Sequence, residues 1–135
     1  MLVSIIVAIF LAAHALIHTG FVSARPAPTP GAPPWPFDLG HSWALGSLGV
    51  DEPVTRVIGT GLLVVLMLAY AVAALAVLGV VPTGLFVPAI AIGSVASLAM
   101  LGVFFHPWLL IGIAIDLVLL WATLVGGWRP GPRLL

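Results

Sequence analysis

The run Leu109-Leu110-Ile111-Gly112-Ile113-Ala114-Ile115-Asp116-Leu117-Val118-Leu119-Leu120 decides the fold. It is apolar apart from one acid, and it sits in a longer stretch from about 108 to 125 that Gly126-Gly127 closes. A helix needs about 20 apolar residues to cross the hydrocarbon core of a bilayer. The run therefore reads as a transmembrane helix with a carboxyl group inside it. Three more stretches of the same kind precede it. One spans about 2–22 and stops before Arg25-Pro26-Ala27-Pro28, where proline ends a helix. Another spans about 53–81, opening at Asp51-Glu52-Pro53, an acidic start with proline where helices tolerate it, and closing before the tight turn Pro82-Thr83-Gly84. The third spans about 85–105, with Pro88 in its first turn, and His106-Pro107 breaks it. The expected fold is all-α: a single membrane domain over 1–135, built as a four-helix transmembrane bundle with a long Pro-rich loop (23–52) between the first and second helices. Short connections after the second helix predict antiparallel neighbours.

Composition agrees with this and excludes several function classes. Of 135 residues, 62% are hydrophobic and 6% charged, with a mean hydropathy of +1.30. A soluble domain carries about a quarter charged residues, and one of this size buries only about two-thirds of its surface. A water-soluble monomer is excluded. The four basic residues are all arginines, balanced by four acids, so no basic patch exists to release phosphate counterions from nucleic acid. No Lys/Arg run is present to dock on anionic lipid. There is no cysteine, which removes disulfides, thiolate catalysis, iron–sulfur clusters and zinc–thiolate sites together. The remaining metal ligands of consequence are four histidines and four carboxylates.

The long loop divides in two. Pro26 to Pro36 is proline-rich and expected to be extended. Phe37-Asp38-Leu39-Gly40-His41-Ser42-Trp43-Ala44-Leu45 mixes aromatic, apolar and polar residues. Trp35, Phe37 and Trp43 suit the headgroup region, and the loop is expected to lie across the bundle mouth. Val22-Ser23-Ala24 resembles a signal-peptide cleavage site, but no Lys or Arg precedes the apolar run and two histidines lie within it. The first helix is therefore read as a retained span. An even number of spans places both termini on one side. That side carries Arg129 and Arg133, and the other carries Arg25 and Arg56 with Asp38, Asp51 and Glu52. The cation count is a draw, and the free amino terminus tips the expectation toward termini in the cytoplasm of a bacterium, the protein being multi-pass in its inner membrane.

Small residues let membrane helices approach closely, and Gly59, Gly61, Gly93, Ser97 and Gly112 are read as serving that packing. Asp116 is different. It lies about eight residues into its helix, about 12 Å deep at 1.5 Å per residue. An ionised carboxylate there costs several kcal/mol unless paired, so it must face the bundle interior or be protonated. His14 lies about eight residues from the same membrane surface, which makes it the natural partner for Asp116. His18 follows four positions later on the same helix face, about 6 Å along the axis. His41 and Trp43 in the long loop, and His106 between the third and fourth helices, fall on that side too. Topology thus gathers every histidine and the intramembrane acid into one half of the bilayer, and points to a polar pocket opening toward the long loop.

Several readings of this His14–His18–Asp116 site stand open. The three residues can be a hydrogen-bonded fastening that fixes helix register, at about 1 kcal/mol per bond, in an accessory or scaffold subunit. They can form a ladder of titratable groups, with hydroxyls from Tyr70 and Thr60, in a small transport-type component. That use needs a homo-oligomer or a partner membrane subunit in the lipid bilayer. They can also bind zinc or iron, with His106 as a fourth ligand beside His14, His18 and Asp116, in a membrane enzyme or redox subunit. Positions 15 to 17 read Ala-Leu-Ile, so the His-Glu-x-x-His arrangement of metalloproteases is absent. Haem needs two histidines from different helices, which one chain supplies poorly. Arg56 with Asp51 and Glu52 reads as a solvated cluster. Trp108, Trp121 and Trp128 read as interfacial anchors or lipid-facing bulk.

His14-Ala15-Leu16-Ile17-His18-Thr19-Gly20-Phe21, Ile115-Asp116-Leu117 and Ser42-Trp43 together resemble a family of small bacterial four-helix integral membrane proteins. In that family a His-x-x-x-His pair precedes Gly-Phe and an Ile-Asp-Leu lies in the last helix. The resemblance implies the four-helix topology and a pairing of the first helix with the fourth. It implies no activity. The proline-rich loop departs from the shorter connection that family leads one to expect.

Overall fold

The computed structural model describes residues 1–27 and 29–131. Pro28 of the proline-rich stretch and Arg133 of the tail lie outside the described residues. The chain is all-helical, with no strand among those residues. Helix α1 (Leu2–Ile17) tightens into a 3-10 turn (His18–Phe21), and a short α2 (Trp43–Ser47) follows the loop. Helix α3 (Glu52–Val77) is the longest; α4 (Phe86–Val103) and α5 (Leu110–Leu120) complete the set. Short 3-10 turns lead into α4 and α5, and a π-helical turn (Trp121–Val125) extends α5. Four helices, counted with their flanking turns, are long and apolar enough to cross a membrane: Leu2–Phe21, Glu52–Val77, Thr83–Val103 and Pro107–Val125.

Two boundaries differ from the sequence reading, for local reasons. The second long helix ends at Val77 instead of running to about 81. Gly79 adopts φ +63, the Gly79 amide bonds Ala76 and the Val80 amide bonds the Leu75 carbonyl at 2.8 Å. This left-handed cap satisfies the last carbonyls and turns the chain aside, and glycine allows it without strain. The long loop also contains a helix that hydropathy does not reveal. Ser42 caps α2 by accepting the Leu45 amide, and its hydroxyl donates to the Val103 carbonyl at 2.6 Å. Trp43 adds an indole bond to the Gly102 carbonyl at 2.8 Å. Both fasten the loop to the otherwise open C-terminal carbonyls of α4.

Helix α3 is the hub: it packs on α1 and on α4, and α4 packs on α5. Helices α1 and α5 share no comparable interface. The core between them is built from α1 (Leu11), α3 (Leu66, Tyr70, Ala73) and α4 (Ile90, Met100), all fully enclosed. Outward-facing Leu, Ile and Val on every long helix remain exposed. Gly59 is buried where the loop crosses α3, and Gly61 faces open space, so of that pair only Gly59 serves packing. A Cβ at Gly59 would lie 2.5 Å from Leu39 Cδ2 and 2.8 Å from Phe104 Cζ. Replacing Gly59 with leucine is therefore expected to push Leu39 out and free the loop. Backbone hydrogen exchange of residues 37–42 should rise sharply, while exchange in α3 and α4 stays slow; an unchanged loop would refute the contact.

Five charged residues, Arg25, Asp38, Asp51, Glu52 and Arg56, gather at the loop end. Asp38 gathers the Gly40 amide at 2.8 Å, the His41 ring at 3.0 Å and the Arg25 guanidinium at 3.5 Å. Partial burial pushes the Asp38 carboxyl up, but the Gly40 amide and His41 outweigh it, and the acid sits below the ordinary carboxylate range. Arg56 pairs with Glu52 at 2.7 Å, and Asp51 caps α3 by accepting the Val54 amide at 3.1 Å.

Candidate functional site: a buried acid shared by all four long helices

Asp116 is the only buried residue of α5, on a helix whose other faces are apolar. Three donors hold its carboxyl group, one from each of the other long helices. His14 of α1 gives Nε2–H to Oδ1 at 3.0 Å. Tyr70 of α3 gives its hydroxyl to the same oxygen. Ser97 of α4 is 2.5 Å from Oδ2. The depth match between His14 and Asp116 read from the sequence is thus a direct contact.

A second tier surrounds these donors. Ser94 and the Tyr70 hydroxyl are 3.0 Å apart. His18 Nε2 lies 2.9 Å from Ser97 Oγ, and His18 Nδ1 donates to the His14 carbonyl at 3.0 Å. That carbonyl is available because the backbone tightens here: the His18 amide turns to Ala15, three residues back, instead of continuing the α-helix. The rings are packed as well as bonded. His14 meets His18 and Tyr70 edge to face, with centroids 5.2 and 5.3 Å away, and Phe10 stacks on its other side at 6.3 Å. His14, His18, Tyr70, Ser94, Ser97 and Asp116 are each at most 3% exposed. A buried acid with all its oxygens bonded is the arrangement that lets a carboxyl group persist in a low-dielectric interior.

Not every residue singled out in the sequence joins this cluster. His18 reaches the acid only through Ser97. His41 is bonded to Asp38 at the loop surface, with its side chain 80% exposed. Trp43 clasps α4. His106 accepts the Trp108 amide at 3.2 Å and so starts the turn into α5. Thr60 is exposed on α3 and adds no hydroxyl. The four-ligand set of His14, His18, His106 and Asp116 does not assemble, and among the described residues no three His, Asp or Glu side chains converge as metal ligands. His14 Nε2 and the two ring nitrogens of His18 are turned to Asp116, Ser97 and a backbone carbonyl instead.

Ser97 and Ser94 carry the largest surprise. The sequence reading assigns Ser97 to close packing, and Ser94 attracts no notice there. In the structure they lie on the α4 face that meets Tyr70 and Asp116. The available signal is their spacing, Gly93-Ser94 and Ser97, a small polar stripe at helical period. Gly93 belongs to it for a steric reason: a Cβ there would stand 3.3 Å from three atoms of the Tyr70 ring.

A cavity of about 210 Å³ adjoins the cluster, between α1 and α5, lined by His14 and His18 and otherwise by apolar side chains and Gly112. Phe37 of the long loop forms part of its wall. Comparison of the chain with protein-family models, with curated proteins and with solved structures finds no match.

Proposed function

We propose that this is a small multi-pass integral membrane protein of the bacterial inner membrane, its termini cytoplasmic and its proline-rich loop closing one end of a four-helix bundle. We propose further that it is a transport-type component whose buried site takes up and releases a proton. The length and apolarity of the four helices support the first statement. One observation carries the second: Ser97 stands between Asp116 Oδ2 and His18 Nε2, at 2.5 and 2.9 Å.

The proton positions follow from which atoms can donate. His18 Nδ1 faces a carbonyl, so it always carries hydrogen. Ser97 has a single proton to give. In one arrangement Asp116 is ionised, Ser97 donates to it, and a doubly protonated His18 donates to Ser97. In the other, Asp116 Oδ2 carries the proton and donates to Ser97, which donates to the bare Nε2 of His18. Every hydrogen bond survives the exchange, and the net charge of the cluster is unchanged. Two hydrogens shifting along one line convert either arrangement into the other. Proton-carrying membrane proteins use chains of Asp and His in this way. Tyr70 bonds Oδ1 and Ser94 bonds the Tyr70 hydroxyl, both off this line. The cluster lies in one half of the bundle, so a complete crossing calls for a second copy or a partner subunit.

The test is proton flux into vesicles reconstituted with the protein and loaded with a pH-sensitive dye, under an imposed membrane potential. Flux above that of empty vesicles is expected, and Asp116→Asn is expected to abolish it. Retained flux in that variant, or none in the wild type, overturns the proton reading. The accessory or scaffold reading rests on a separate observation: the acid is the sole buried side chain of α5, whose main packing among the long helices is on α4. It gains from a wild type without flux.

A further inference from the structure

We infer that the cavity between α1 and α5 is a binding site for a lipid-soluble ring compound bearing a hydroxyl group, a phenol or hydroquinone, with His14 Nδ1 accepting its hydrogen bond.

The His14 ring has its Nε2 committed to Asp116 Oδ1. That oxygen accepts in both proton arrangements of the cluster, because the mobile proton resides on the Oδ2 side. Nε2 therefore always carries hydrogen, and neutral His14 keeps a bare Nδ1, which can only accept. No group among the described residues pairs with it. The residue is 3% exposed, so bulk solvent does not serve it either. Among the described residues the only sealed side-chain polar atom without a partner is Trp35 Nε1. His14 Nδ1 is thus left open, and the void that its ring borders is this cavity. A buried acceptor without a donor is costly, and a hydroxyl entering the cavity would recover that cost.

Size and lining narrow the class. An apolar cavity of about 150 Å³ holds benzene and stays free of water. The present one, at about 210 Å³, accommodates a substituted six-membered ring. Its walls are apolar apart from the two histidines, so the body of the ligand must be apolar too. The route of entry is lateral. Three lining residues, Ile17, Trp108 and Ile111, are 60, 65 and 74% exposed on the outer surface of the bundle, where the bilayer lies in the reading above. The ligand therefore partitions into lipid before it binds. Helices α1 and α5 do not pack closely, and the gap between them is its doorway.

The inference leans on the membrane reading but not on proton flux. Its test is a binding titration in lipid nanodiscs with the whole protein labelled with ¹⁵N at histidine, using para-propylphenol and its methyl ether as probes. Saturable binding of the phenol is expected, with a shift of the His14 Nδ1 resonance. The ether, which fills the same space without a donor, is expected to bind about tenfold more weakly, the equivalent of about 1.4 kcal/mol. Ile115→Phe, which narrows the cavity and leaves His14 in place, is expected to abolish the shift. Equal binding of phenol and ether, or a shift that persists in Ile115→Phe, overturns the assignment. So does a resonance that neither probe moves, the result expected if an acyl chain of the bilayer fills the space. A protein without proton flux that nevertheless passes this test would keep the site and lose only the proton reading.

Discussion

Asp116→Leu is expected to destabilise the protein by about 3 kcal/mol, and Asp116→Asn by less than about 1 kcal/mol. The estimate counts the three hydrogen bonds on the carboxyl group at about 1 kcal/mol each, the usual worth of interhelical bonds in membranes. Leucine has similar bulk and suits an apolar interior better than a carboxylate, so transfer energy alone would favour the change. The penalty comes from the partners left behind. His14 Nε2 would lose its acceptor entirely, whereas Tyr70 would keep Ser94 and Ser97 would keep His18. The location amplifies the effect, because Asp116 is the one buried residue of α5 and α1 makes no close interface with that helix. Asparagine reproduces the protonated acid. Its carbonyl oxygen accepts from His14 and Tyr70, and its NH₂ group donates to Ser97, which then donates to His18. The variant is therefore a well-bonded fold with its proton locked in place. Reversible unfolding in mixed micelles reads both numbers. Equal losses for the two variants would show that charge, not hydrogen bonding, holds α5.

Ser97→Ala is expected to reduce proton flux at least as severely as any change away from Asp116, while costing only about 1–2 kcal/mol of stability for its two lost bonds. The hydroxyl is the group that links the acid to the His18 imidazole, and removing it leaves no donor or acceptor in line. Tyr70→Phe is the informative comparison. It removes a bond to the same carboxyl group, but from Oδ1, off the line to His18. Its stability cost should be similar and its effect on flux much smaller. If the two variants lose flux equally, Ser97 acts only by positioning the acid.

Much of the site was legible before any tertiary contact was known, and the reason is depth. Helix rise is constant, so counting from the turn at Pro107 and from the end of the first apolar run places Asp116 and His14 at one level. A carboxyl group at that level must turn inward, and His14 is the nearest titratable group. Rotation about the helix axis is a different matter. Helix α4 is apolar around nearly its whole circumference, so hydropathy gives its sequence no inner face. Nothing in Ser94-Val95-Ala96-Ser97 says that both hydroxyls turn toward Tyr70 and Asp116. His106 illustrates the opposite failure: it shares the side of the bundle and the chemistry of a ligand, but proline after it fixes it in a cap.

Composition and chain order alone carry the all-helical class of this protein, its four long apolar helices and the half of the bundle that holds its histidines and buried acid. Those follow from composition and from lengths measured along the chain. The packing of the helices settles which hydroxyls complete the site, that Ser97 joins the acid to His18, and that a cavity lies open beside His14. These depend on the rotation and spacing of whole helices. Packing against several neighbours at once sets both, and no single segment records that in its own order of residues.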